Sequence, residues 1–402
     1  MTVTAFEFDP FSDEYFDDPT DVYRRLRDEA PVYFSERYGF YALSRFADVI
    51  AAHRDWHGFS SEHGVDLSSL TKDPELIRSL GMMIMMDPPA HERFRALVNR
   101  VFTPRAVTAL EPMIREVITG LLDPLVGEPG FDIVQDFSAP FPVEVISRML
   151  GVPEGERQQI RHWLDEGLHR EPGQLGPSPR NQRAQLESGM YWYELVASKR
   201  ANPTDDMLSR LTQVTVDRGD GEETGLDDRE ISGFAGLIGG AGAETVTKLV
   251  ANAVCLFDAH PDQWRAVVDD PARLPNAVEE VLRMLPPSQY QGRFSVEDRT
   301  FEGGTIPAGY PVLLITGAAT RDPRAFERPD DFDIDRPPSV AVGFGHGVHS
   351  CLGAALARME SRIALEEIAA RWERLEVDRA GLRRVNMSNV AGYSNVPVTA
   401  VR

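Results

Sequence analysis

The chain has 402 residues, 42% of them hydrophobic, with 42 basic and 63 acidic side chains and a formal net charge of −21. That sign excludes a nucleic-acid binder, which needs a basic stripe, and argues against docking on an anionic membrane. Two cysteines give no disulfide framework and point to a reducing cytoplasm.

The first residues, MTVTAFEFDPFSDEYF, are acidic and lack the basic and apolar regions of a signal peptide. DVYRRLRDEA predicts a helix, and PVYFSERYGFYALS a hairpin turning near Arg37–Gly39. The run MMIMM (82–86) suits an adaptable apolar pocket and a core equally well. DPPAHERFRALVNRVF predicts a helix with Asp87 as N-cap and Pro88 in the first helical position. His91 and Arg95, four apart, can both donate to an anion from one face; a solvated face is the plainer alternative.

Helical sequence dominates to about residue 285, with breaks at Pro153, at 171–179 and at 217–223. ISGFAGLIGGAGA (231–243) is the longest nearly uncharged apolar run, and it is shorter than the ~18 residues of a membrane span. It belongs to a helix over about 228–260 that Gly236, Gly239, Gly240 and Gly242 weaken, each by roughly 1 kcal/mol relative to alanine. Such weakness predicts a kink or a ligand against the backbone. Glu244 and Thr245 follow, a carboxylate and a hydroxyl. Their plain reading is a solvent-facing Glu beside a Thr that bonds its own turn. Glu280 and Arg283 share a helix face at i, i+3. Strand and turn signals return over 291–315, including Arg293 in GRFS, and 321–343 is a Pro/Asp-rich ordered coil. Short strands close the chain from Val385. No linker separates independent domains, so residues 1–402 are expected to form one body, mainly α with small β-sheets.

The densest chemistry is FGHGVHSCLG (344–353), which a last helix follows. His346, His349 and Cys351 could ligate zinc, or Cys351 alone could be a thiolate ligand of something larger. Gly345 and Gly347 allow positive φ or close approach to a flat ligand. A helix starting near Cys351 aims its N–H groups at the sulfur and favours thiolate. Gly353 removes a side chain beside it. A structural zinc site needs four ligands, and the only other cysteine, Cys255, sits in apolar NAVCLF as a core thiol.

Taken together these stretches resemble the soluble bacterial members of the cytochrome P-450 family. FGHGVHSCLG matches that family's haem-ligand loop, Glu280–Arg283 its ExxR pair, and AGAET (241–245) its oxygen-activation stretch. DPPAHERFR resembles its haem-propionate helix, and TRDPRAFERPDDFDIDR the meander before the loop.

The resemblance implies haem b with Cys351 as axial thiolate, Phe344 and Gly345 packed near the sulfur, and Gly353 and Ala241 leaving room for the macrocycle. His91, Arg95, Arg293 and His349 would hold the propionates. Glu280, Arg283 and Arg336 would form a structural network. Thr245 and Glu244 would handle dioxygen and protons. The implied reaction is monooxygenation with electrons from a separate ferredoxin, expected to dock on a local basic patch that includes Arg100, Arg105, Arg358 and Arg362. Leu237, Ile238, Met82 and Met83 are candidate apolar contacts to substrate, and Gln289, Tyr290 and Tyr393 candidate polar ones. A terpenoid, fatty-acid derivative or steroid-like substrate and a monomeric cytoplasmic protein are expected. The alternatives are peroxide-driven oxidation or oxidative coupling by the same haem-thiolate group, and a non-catalytic haem sensor.

Overall fold

The computed structural model describes residues 6–99, 102–217, 223–340 and 342–401. Helices that frame the centre are α1 (Phe46–Arg54), α2 (Ala90–Val98), α3 (Pro140–Leu150), α4 (Arg157–Leu168), α5 (Pro179–Ala201), α6 (Asp228–Ala259), α7 (Leu274–Met284) and α8 (Ala354–Arg371). A five-stranded sheet is built from β1 (Val32–Ser35), β2 (Phe40–Leu43), β3 (Phe59–Ser60), β4 (Gln291–Ser295) and β5 (Pro311–Leu314), in the order β1-β2-β5-β4-β3. Only β2 and β5 run parallel. The fold is mainly α with small sheets, as the sequence predicts. The expected hairpin is present, with Gly39 in the left-handed region at φ 65°. Pairing of Tyr41 with Val312, and of Val312 with Arg293, puts Arg293 inside the sheet. Near the C-terminus Pro397–Val401 pairs with Arg374–Val377 and Gly130–Asp132.

Two expectations change. The helix foreseen from Asp87 starts at Ala90, because a residue before proline is pushed out of the α region and Pro89 follows Pro88. Asp87 serves the turn instead: its carboxylate accepts the Ser61 N–H at 2.9 Å and its carbonyl the His91 N–H at 3.0 Å.

The second change concerns α6, which runs through its glycines without a break. Asp227 and Glu230 cap it reciprocally at 2.8 and 2.9 Å, and Pro261 lies just past its end. Its glycines answer to close packing by three neighbouring helices. An added Cβ would lie 2.8 Å from the Trp192 ring of α5 at Gly239, 3.0 Å from Leu164 of α4 at Gly240, and 3.2 Å from Ile146 of α3 at Gly242. The helix-weakening residues are what let the helix sit this deep.

Glycine replacements should therefore divide by packing. Gly239→Ala gains about 1 kcal/mol of helix propensity yet overpacks against buried Trp192, which costs about 1–3 kcal/mol. Its thermal midpoint should fall. Gly189→Ala, on the exposed face of α5 with nothing near its Cβ, should gain up to about 1 kcal/mol. Thermal unfolding of both variants reads the contrast, and a rise for Gly239→Ala would contradict this account of α6.

Candidate active site

The 344–353 loop closes on itself through Cys351 N–H to the Phe344 carbonyl at 2.8 Å. Gly345 and Gly347 both take positive φ, 67° and 71°. Gly347 has a second reason, since a Cβ there would strike the His53 carbonyl at 2.3 Å. α8 begins at Ala354, three residues later than the loop's cysteine. The Gly353 N–H still reaches the sulfur: burial pushes the Cys351 thiol up, and that N–H, Arg95 and Arg358 pull it down. Cys351 keeps accessible surface although protein surrounds it closely, as a residue lining an internal cavity does. An added Cβ on Gly353 would meet nothing within 4 Å. Arg358 lies over the Phe344 ring at 4.5 Å. Arg95 braces the loop, donating to the carbonyls of Val348 at 3.0 Å and Ser350 at 2.7 Å.

Around this loop gather positive and imidazole groups, and the one acid that acts on Arg293 and His91, Asp87, makes no ion pair with them among the described residues. Arg293 is buried, makes no ion pair among the described residues, and has its pKa lowered to about 10 by burial. The rings of His91 and His349 stand 4.2 Å apart. Burial first, then neighbouring arginines, lowers His91 to about 4 and His349 to about 2. Both ring nitrogens of His91 and Nε2 of His349 are buried without a hydrogen-bond partner. Burying a guanidinium with no anion is costly, so this donor set suits a ligand that carries carboxylates. It suits a zinc ion poorly, and among the described residues no three His, Cys, Asp or Glu side chains converge as metal ligands. Cys255 is a buried core thiol, as expected, pushed up to about 12 by burial.

On α6 the residues Leu237, Ala241 and Thr245 form an i, i+4, i+8 stripe that keeps accessible surface. The Thr245 hydroxyl donates to the Ala241 carbonyl at 2.8 Å, the plainer of the two readings of that residue. Glu244 is not solvent-facing. It is 4% exposed, with Lys248 Nζ 3.2 Å from its Oε2. Across the helix interface the half-buried Asp165 of α4 shares a hydrogen bond with Glu244. Burial and the Glu244 charge raise Asp165 to about 7. No sequence signal singled out Asp165 or Lys248, because contact across helices has no local spacing.

Glu280 lies at the centre of a buried network. Arg283 Nε donates to it at 2.8 Å, Arg336 Nε at 3.1 Å and the Asp333 N–H at 3.0 Å. The two guanidiniums also hold the carbonyls of Thr320, Pro329, Arg328 and Asp331. One carboxylate thus pins the coil that leads to the cysteine loop.

Several proposed contacts prove to be core. Gln289 accepts from the Tyr23 hydroxyl and donates to the Pro286 carbonyl. Tyr290 is fully buried in the N-terminal aromatic cluster. Tyr393 packs into the main core under Arg384. Met83 is likewise buried, while Met82 and Leu237 are half-buried and Ile238 is 8% exposed. The expected basic patch is largely neutralised, since Glu279 pairs with Arg358, and Glu366 and Glu111 with Arg362. Arg105 is exposed, and Arg100 lies outside the described residues. A groove of about 400 Å³ between Phe257, Trp264, Ile368 and Leu375 contains none of the site groups.

Comparison with known proteins places this geometry. A sequence model of the cytochrome P-450 family matches residues 272–381. The chain is 41% identical over 392 residues to a Mycobacterium tuberculosis protein assigned as cytochrome P-450 123, covering 97% of this chain and 96% of that protein. It is 37% identical to the erythromycin C-12 hydroxylase of Saccharopolyspora erythraea, covering 93% and 92%. It is 36% identical to the vitamin D(3) 25-hydroxylase of Pseudonocardia autotrophica, covering 99% and 98%. Among solved structures, CYP109E1 of Bacillus megaterium with testosterone superposes at TM-score 0.85 with 32% identity, covering 96% and 98%. Among the described residues no helix is long and apolar enough to cross a membrane.

Removal of one arginine should expose the weight carried by Glu280. Arg283→Ala leaves a buried carboxylate short of a partner, a change that typically costs about 3–5 kcal/mol. The urea midpoint should drop accordingly. Arg283→Lys should not restore it, because an ammonium cannot reproduce the fork. Near-native stability of either variant contradicts the pinning role.

Proposed function

This chain belongs to the cytochrome P-450 family and is a monooxygenase of the haem-thiolate type, and we propose that it inserts one oxygen atom from O2 into a C–H or C=C bond of a medium-sized apolar molecule. The observation that supports this most is the accessible Cys351 thiol beside a buried donor cluster that makes no ion pair among the described residues and leaves imidazole nitrogens without partners. Haem b would answer both features: Cys351 would hold its iron and the donors its two propionates. When bound, it supplies dioxygen activation at its iron, which thiolate ligation favours.

The chain's own residues set the conditions. The Gly353 N–H, Arg95 and Arg358 hold the Cys351 sulfur toward thiolate. His91, Arg95, Arg293 and His349 are the propionate donors in this reading, and Ala241 on the open stripe leaves room for a flat group. The Thr245 hydroxyl stands on the same stripe and can pass a proton by leaving the Ala241 carbonyl. Glu244, next to it on α6, contacts Lys248 and shares a hydrogen bond with Asp165, whose carboxyl is raised to about 7 and can serve as a proton reserve near neutral pH. Electrons come from a separate ferredoxin-like donor. The accessible stripe and the half-buried methionines offer a substrate mostly apolar contact. A steroid-like, terpenoid or fatty-acid-derived substrate suits such a lining, and the relative named as a vitamin D(3) 25-hydroxylase is in keeping with that class.

Absorption of the reduced carbonyl complex tests the ligand. Wild type should give the strongly red-shifted Soret band of thiolate ligation, and Cys351→Ser should lose it. A globin-like band in wild type sinks the assignment. Thr245→Ala should divert electrons to peroxide and lower product per electron pair by roughly 100-fold, the lower end of positioned proton transfer; full coupling removes Thr245 from that role. In a ligand screen read by the low-to-high spin shift, testosterone and similar apolar polycycles should outrank charged small acids. The reverse ranking contradicts the substrate class.

A further inference from the structure

A third histidine stands in the donor cluster, and neither the sequence motifs nor the resemblance pointed to it. His53 lies at the end of α1 and is 4% exposed. Both ring nitrogens are buried without a hydrogen-bond partner among the described residues. Its backbone carbonyl blocks any side chain at Gly347, and a Cβ on Gly345 would lie 3.9 Å from its ring. The imidazole is thus wedged against the cysteine loop.

The groups that face it are Arg293 from β4, His346 from the loop and the Gln291 amide, also from β4. His349 is close enough to feel its charge. No carboxylate is among them. Gln291 is already engaged, accepting from the Thr316 hydroxyl at 2.6 Å and donating to the Ser288 hydroxyl at 2.8 Å. A buried imidazole nitrogen without a partner is unfavourable. Burial, Arg293 and His346 lower its pKa to about 3, so without an anion it is a neutral donor. Gln291 is the one neighbouring side chain close enough to engage the imidazole, and it can meet only one of the two ring nitrogens; the other faces no acceptor among the described residues.

We propose that His53 is a further haem-propionate donor, joining Arg293 and His349 on the same carboxylate. This rests on the haem-thiolate reading above. It makes α1 part of the cofactor site and couples that helix to the cysteine loop through Gly345 and Gly347. A hydrogen bond to a carboxylate is charge-assisted and stronger than one between neutral groups.

The test uses the holoenzyme, with haem release to excess apomyoglobin as readout. His53→Leu should release haem about tenfold faster than wild type, on the scale of one charge-assisted hydrogen bond. Its reduction potential should move to more negative values, because the propionate charge then meets one donor fewer. Reconstitution with haem dimethyl ester separates this from a packing effect. The ester has no propionate charge to hold, so the difference between wild type and His53→Leu should nearly vanish. His53→Gln, a milder change for the fold, should fall between the two with native haem and converge with them on the ester. Ratios of release rates that are the same for native and ester haem overturn the proposal, as does an unchanged release rate in both variants. The red-shifted carbonyl band should persist in every variant. Its absence from wild type would count against Cys351 ligation, which is a separate failure.

Discussion

A buried sulfur, charged in the proposed reading, is the constraint around which this molecule is arranged. A buried thiolate is unfavourable unless fixed donors replace water. Here the donors come from three places: the Gly353 N–H ahead of α8, Arg95 on α2 and Arg358 on α8. Arg95 also holds two carbonyls of the loop, so the residue that helps the sulfur electrostatically fixes the backbone that carries it. The loop is in turn held from behind. Glu280 pins the preceding coil through two guanidiniums, and α1 closes against Gly347.

The same logic extends to the proposed propionate donors. Arg293 sits in a central strand and is buried. Its charge lowers the proton affinity of His53, His91 and His349, while Asp87 acts on Arg293 itself in the opposite sense. In the proposed reading a bound carboxylate offsets this crowding of donors, so the protein's electrostatics contribute to the cofactor's affinity.

Opposite requirements meet on α6. One side approaches three helices so closely that Gly239, Gly240 and Gly242 exclude side chains. Another, along Leu237, Ala241 and Thr245, stays open. Glu244 faces a third way, into a buried group with Lys248 and Asp165. One unbroken helix can serve all three because successive residues point 100° apart, at about 3.6 residues per turn. Close packing accounts for Gly239, Gly240 and Gly242 without a break in the helix.

Local chemistry made much of the site legible. Cys351 with its glycines, Glu280 with Arg283, and His91 with Arg95 have fixed spacings, and spacing survives in a sequence. Arg336 and Arg293 became legible only through the resemblance. Gln289, Tyr290 and Tyr393 were misread because an amphipathic side chain looks the same whether its polar tip meets a ligand or a core partner such as the Tyr23 hydroxyl. Asp87 was misplaced by one competing rule, the effect of Pro89 on the residue before it. The sequence by itself determined the helical class, the hairpin, the thiolate loop and the ion-pair motif, since each depends on residues within a few positions of one another. Tertiary structure alone decided that Asp165 meets Glu244, that His53 joins the donor cluster, and that Glu279 and Glu366 neutralise the arginines of the cysteine side. Those contacts join distant elements, and packing rather than local spacing chooses which of many similar charges become neighbours.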